Sequence, residues 1–224
     1  MDLKNKIVVI TGGSKGLGQA LALCFLKNGS KVVVCSREGE FENSDNGIIG
    51  IKADVTKEPE MEALAKKVSN DFGKIDIWVN NAGIWLPHKP IEKTDWERAH
   101  DLIEVNLFGM VYGSKAALAQ MRKQNFGVIV NIISTSGLDG KRNETAYCAS
   151  KFAATGFTKS LIKEVDEKKI KILGVYPGGM QTNLFDESKP QNYIEFMDPN
   201  FVAEKIINNL LKKKPVEELI IKRK

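Results

Sequence analysis

Histidine and cysteine are scarce in this chain. Its 224 residues include two histidines, His88 and His100, and three cysteines, Cys24, Cys35 and Cys148. No His/Cys cluster can be assembled from them, so zinc catalysis and a bound metal are not expected. The cysteines are odd in number and lack C-x-x-C spacing, which excludes a disulfide framework and leaves them as reduced structural residues. No Ser/Pro/Gly-rich stretch, low-complexity segment or repeat interrupts the sequence, so no linker divides it. Apolar runs fall short of the ~18 residues of a membrane span, and the start from Met1 to Lys6 is too polar for a signal peptide. A cytoplasmic protein without membrane contact is expected. G-x-S-x-G and G-x-x-x-x-G-K-[ST] are both absent, against a hydrolase elbow and a nucleoside-triphosphate loop. Charge of one sign is also weak, with 33 Lys and Arg against 28 Asp and Glu. The only basic clusters, Lys212-Lys213-Lys214 and Lys222-Arg223-Lys224, read as solvated ends, and no nucleic-acid partner is expected.

At 42% hydrophobic composition the chain can bury one substantial core, so residues 1–224 are expected to form one domain. Lys6-Ile7-Val8-Val9-Ile10 is a β-branched run that reads as a buried parallel strand. Thr11-Gly12-Gly13-Ser14-Lys15-Gly16-Leu17-Gly18 follows at once. A helical stretch then runs from Gln19 to Lys27, and Asn28-Gly29 stops it. Glycines in this position let the backbone approach a pyrophosphate at a helix N-terminus, where free N–H groups and a positive dipole end bind anions. The spacing is G-x-x-x-G-x-G rather than G-x-G-x-x-G, so a plain tight turn is the competing reading. Further strands are expected at 31–36, 48–53, 75–79, 127–133, 170–176 and 217–222, with helices between them. Ligands of such parallel sheets bind outside the carboxyl ends of the strands.

Tyr147 and Lys151, four apart, share one face of a helix. An unperturbed tyrosine titrates near 10, and a cation about 4 Å away contributes on the order of 4 kcal/mol at an effective dielectric of 20, enough to lower a phenol by about 3 pH units. The pair alone is too common to carry a function.

With TGGSKGLG at 11–18, Asp54-Val55, Asn80-Asn81-Ala82-Gly83, Asn106, Ser134, Tyr147 with Lys151, and Pro177-Gly178 with Thr182, all in this order, the chain resembles the short-chain dehydrogenase/reductase family from about Lys6 to Thr182. The resemblance implies an α/β, Rossmann-type doubly wound parallel sheet of about seven strands, order 3-2-1-4-5-6-7, with helices on both faces. It implies Asn106, Ser134, Tyr147 and Lys151 as the catalytic set: Tyr147 the general acid, Ser134 the hydrogen-bond donor to the carbonyl oxygen, Lys151 both depressing the tyrosine and binding the nicotinamide ribose, and Asn106, in a long helix, holding a water that reconnects Lys151 to solvent. Many members carry two serines where this chain has Ile133-Ser134, so Thr135 and Ser136 are fallback candidates. The cofactor would contact Gly12, Ser14, Lys15, Gly16, Leu17, Gly18, Asp54, Val55, Asn80, Ala82, Gly83, Pro177, Gly178 and Thr182, besides Tyr147 and Lys151.

The second strand ends in Ser36 and Arg37 rather than a carboxylate. A 2′-phosphate needs cations or hydroxyls there, which together with Lys15 favours NADP(H). Glu38 keeps NAD(H) open. The implied reaction is reduction of a ketone or aldehyde to an alcohol. The alternatives are an NAD-dependent secondary alcohol dehydrogenase and a non-catalytic dinucleotide-binding module. Residues 183–199, with Leu184, Phe185, Tyr193, Phe196 and Met197, are expected to form a substrate lid facing Trp85 and Leu86. Apolar and small residues on the helices carrying Ala116, Ala117, Leu118 and Met121 and carrying Phe152, Ala153, Gly156 and Phe157 suggest a homodimer or homotetramer.

Overall fold

Four apolar residues and a threonine, Ile7–Thr11, form the first strand, β1, and all of them are buried. A run of this kind is stable only with both faces covered. The structure is a computed structural model and describes residues 1–39, 47–165 and 169–223; Lys224, of the C-terminal basic cluster, lies outside them. The strands that follow are β2 (Lys31–Ser36), β3 (Ile48–Lys52), β4 (Ile77–Asn80), β5 (Gly127–Ile132), β6 (Ile170–Pro177) and β7 (Glu218–Ile221). All pair in parallel, in the order β3-β2-β1-β4-β5-β6-β7. The helices are α1 (Gly16–Lys27), α2 (Glu58–Phe72), α3 (Trp96–Ile103), α4 (Gly109–Gln124), α5 (Thr145–Glu164) and α6 (Pro199–Leu211).

Alternate strand residues point to opposite faces, and the core divides accordingly. Val8 and Ile10 pack with Leu21 and Phe25 of α1 and Val202 and Ile206 of α6. Val9, Trp78 and Ile129 pack with Met61 and Leu64 of α2, Met121 of α4 and Leu161 of α5. The sheet is therefore a layer between helices, a doubly wound Rossmann-type arrangement. Strand order reverses at β1, between β2 and β4, which opens a crevice at the carboxyl ends of the strands.

Two local features depart from the sequence expectation, at the start of α1 and at Asn106. Helix α1 begins at Gly16, so two glycines of the turn lie in its first turn. Asn106 is not in a regular helix: a π-helical turn, Glu104–Phe108, joins α3 to α4, and such turns re-aim a side chain within a helix. Residues 183–199 contain two short 3₁₀ turns, Asn183–Phe185 and Tyr193–Glu195. The helix expected between β2 and β3 falls on residues 40–46, outside the described set.

Candidate active site

The turn after β1 is built for close approach. Gly12 has φ 62°, and a β-carbon there would stand 2.8 Å from Ala82 Cα, so any side chain would force the β1 and β4 loops apart. A β-carbon on Gly18 would run into the Gly12 carbonyl oxygen. Asn81 locks the same turn: its Nδ2 donates to Thr11 O (2.9 Å) and Gly12 O (3.0 Å). Helix α1 starts here with no acidic residue in its first turn and no side chain capping it. Its free N–H groups and positive dipole end face the crevice and suit a pyrophosphate. On these observations the residues fit a nicotinamide dinucleotide.

One cavity of about 1180 Å³ runs along the carboxyl ends of the strands and is lined by Gly12, Ser14, Lys15, Gly16 and Leu17, by Ser36 and Arg37, by Asp54 and Val55, by Ala82 and Gly83, and by Ser134, Tyr147, Lys151, Pro177, Gly178 and Thr182. Ser36 ends β2 as the sequence suggested, and its hydroxyl accepts from Gly39 N at 3.1 Å. Glu38 lines the same wall. Asp54 Oδ1 accepts from the Thr56 N–H and hydroxyl, both at 2.9 Å, a local turn that fixes the carboxylate at the cavity edge. Thr182 stands over Gly16, whose β-carbon would come within 3.3 Å of Thr182 Cβ.

Three expected site residues, Gly18, Asn80 and Asn106, do not line the cavity. Gly18 is a packing glycine between α1 and the turn. Asn80 points the other way, into the sheet's helix-covered face, where it accepts from Trp78 Nε1 (2.7 Å) and donates to Ser114 Oγ (2.9 Å) and Asn131 Oδ1 (2.8 Å). The cause is strand parity: Trp78 and Asn80 share a face and Asn81 takes the other. Asn81 is the residue the sequence reading left out.

Ser134 follows β5 and lines the cavity together with Tyr147, its hydroxyl accepting from Ser136 N at 3.1 Å. Lys151 is buried, with Nζ 5.7 Å from the Tyr147 ring centroid, over the ring. Asn106 Oδ1 accepts from Ile84 N at 2.9 Å, and its Nδ2 donates to Ile84 O at 3.0 Å and Ser150 Oγ at 3.1 Å. A methyl on Gly83 would lie 3.2 Å from Asn106 Oδ1 and 3.7 Å from Lys151 Nζ, so both groups converge on Gly83. The electrostatics differ from the sequence expectation. Burial pushes the Tyr147 phenol up, the nearby Ser134 hydroxyl opposes this, and the Glu144 charge adds to it. Burial pushes the Lys151 ammonium down to about 8. Desolvation, which penalises the charged form of each group, outweighs the attraction between the pair, and a neutral phenol is the form that can donate a proton.

The far end of the cavity is aromatic. Trp85 meets Phe185 edge-on at 5.0 Å, and Phe185 meets Phe196 at 5.4 Å and Tyr193 at 5.9 Å. The segment carrying these rings is tied by Glu187 to Arg98 of α3 (2.6 and 2.9 Å) and by Glu195 to Arg223 beyond β7 (2.5 Å).

Comparison with known proteins agrees with this architecture. The sequence matches the short chain dehydrogenase family over residues 6–193. It is 36% identical over 196 residues to a 3-oxoacyl-[acyl-carrier-protein] reductase of Haemophilus influenzae, covering 84% of this chain and 81% of that one. The structure is similar to ElxO with NADP bound, at a TM-score of 0.87 and 31% identity over 98% of this chain and 97% of that one. It is also similar to a 3-ketoacyl-(acyl-carrier-protein) reductase of Brucella melitensis complexed with NADH, at a TM-score of 0.89 and 26% identity over 98% of each chain.

Proposed function

The chain belongs to the short-chain dehydrogenase family of oxidoreductases, which work with a nicotinamide dinucleotide, and from that premise we propose that it is an NADP(H)-dependent reductase of ketones or aldehydes with Tyr147 as general acid. The bound dinucleotide supplies the hydride. Tyr147 gives its proton to the carbonyl oxygen, and Ser134 hydrogen-bonds the same oxygen as negative charge develops on it. Lys151 holds the ribose hydroxyls. Asn106 clamps Ile84 and so holds Gly83 beside Lys151; a water between Asn106 Oδ1 and Lys151 Nζ would resupply the proton. Residues 183–199 act as the lid of a single domain. The observation that carries the reading is that Ser134, Tyr147 and Lys151 line one cavity that also opens onto the acid-free start of α1. NADPH oxidation measured against a panel of ketones and aldehydes tests it; a protein that binds NADPH and reduces none of them would sink it.

NADP(H) is preferred because β2 ends in Ser36 followed by Arg37, where a 2′-phosphate needs hydroxyls and cations. Arg37→Asp is expected to weaken NADPH binding by about tenfold or more and to narrow the NADPH/NADH preference, since a charge-assisted contact becomes repulsion. Fluorescence titration with both cofactors checks this, and an unmoved ratio removes the main support for NADP. Glu38, on the same wall, favours the second reading, an NAD-dependent secondary alcohol dehydrogenase, which the same titration separates.

Phe108, in the turn before α4, and Phe152 of α5 are 38% and 46% exposed. Exposed aromatics on two adjoining helices support a homodimer as the smallest assembly, with a tetramer as the larger possibility. Light scattering coupled to size exclusion should give a mass of at least two chains at micromolar concentration; the mass of one chain refutes it.

A further inference from the structure

Glu144 lines the cavity and takes no part in the mechanism above. It directly precedes α5, three residues before Tyr147, and its charge acts on the phenol. Its side chain is only 11% exposed, and a carboxylate that deep is costly unless it is held. Two groups hold it. His88 Nε2 lies 2.8 Å from Oε1, and the Ser136 hydroxyl donates to Oε2 at 3.4 Å. His88 is itself set by Trp85, edge-on at 5.2 Å. Ser136 is the residue whose N–H holds Ser134 Oγ. Glu144 thus joins the segment after β4 to the segment after β5 at the head of the helix that carries the phenol.

Each carboxylate oxygen can accept two hydrogen bonds, so with His88 and Ser136 in place Glu144 can still take a donor from a ligand. Glu144, His88 and Tyr147 all line the cavity. Away from the cofactor end the other charged groups of the cavity are of both signs, Asp101, Asp139 and Glu187 against Arg98, Lys141, Lys151, Lys222 and Arg223, and Arg98 and Arg223 are each paired to a carboxylate. Resting on the carbonyl-reductase reading, we propose that Glu144, positioned by His88 and Ser136, is a specificity residue that accepts a hydrogen bond from a hydroxyl next to the reacting carbonyl. The site then selects neutral hydroxylated ketones or aldehydes, packs their apolar part on the Trp85–Phe185 wall, and disfavours carbonyls carrying an anionic group at that position. An acceptor left facing an apolar or anionic substrate loses its compensation, which is how a polar site rejects the analogue that lacks the matching group.

Three probes on one scaffold separate these terms: 2-hydroxyacetophenone, acetophenone and phenylglyoxylate, reduced with NADPH by the wild type, Glu144→Ala and Glu144→Gln, with NADPH titration as the check on folding. In the wild type, kcat/KM should rank the hydroxylated ketone first and the anion last. Glu144→Ala should lower the ratio of hydroxylated to plain ketone by about tenfold, chiefly through KM, and both variants should improve the anion relative to the plain ketone. His88→Ala should give part of the same loss. An unchanged ratio in Glu144→Ala overturns the proposal, because an intrinsic reactivity difference between the ketones, or a purely structural Glu144, would leave it fixed. Turnover of other carbonyls but of none of these three also overturns it while the reductase reading stands; binding of NADPH with no carbonyl turnover at all overturns both.

Discussion

Tyr147→Phe is expected to lower NADPH-dependent carbonyl turnover by about 10²- to 10⁴-fold, the range that one positioned proton donor supplies. NADPH affinity should stay within a few-fold, since the substitution removes only the hydroxyl. Burial holds this phenol protonated, so the wild type loses nothing by ionisation at neutral pH and the whole effect falls on the proton-transfer step. Ser134→Ala should cost less. It removes the hydrogen bond to the carbonyl oxygen but leaves the proton donor in place. Stopped-flow single turnovers with a substrate found in the panel, alongside cofactor fluorescence titration, give chemistry and binding separately. If Tyr147→Phe keeps most of its single-turnover rate, the proton comes from elsewhere and the assignment fails.

The strands were legible because each is a short apolar run bounded by turn residues, and a parallel sheet buried on both faces needs no alternation to be recognised. Bounds shifted by a residue or two, and in one place this matters. β4 ends at Asn80, so parity turns Asn80 inward and gives Asn81 the cavity side; two identical neighbours carry no signal for choosing between them. The π turn at Asn106 was invisible for a related reason. One extra residue in a helical turn leaves composition and approximate periodicity unchanged, and only the tertiary demand that Asn106 reach Ile84 and Ser150 fixes it. The charge states of Tyr147 and Lys151 could not be read from their spacing, because spacing reports attraction between two groups and says nothing of the desolvation each undergoes. The His88–Glu144 pair joins residues far apart in sequence that belong to no motif, so nothing local announced it.

Lys151 supplies a test in which that desolvation is measured directly. Its ordinary value of 10.5 is lowered to about 8 in the fold, by burial. Below pH 8 both folded and unfolded chains carry the ammonium, and the fold bears its full desolvation cost. Between about pH 8 and 10.5 the native state has released the proton while the unfolded chain still holds it, so the unfolded state binds more protons and this group's contribution to stability rises with pH. The shift corresponds to about 3 kcal/mol at 1.36 kcal/mol per pH unit. Lys151→Met keeps much of the apolar stem and removes the titration. In urea unfolding of the ligand-free protein it should therefore be more stable than the wild type at pH 7, by an excess that shrinks steadily through pH 8 to 10 by up to about 3 kcal/mol. Tyr147 and the other groups that titrate in this range are common to both chains and largely cancel in the difference. An excess independent of pH would show that Lys151 titrates near its ordinary value in the folded chain. Lys151 would then keep its charge through pH 10 in the folded chain, and the balance between desolvation and pairing at the Tyr147 site would have to be drawn the other way.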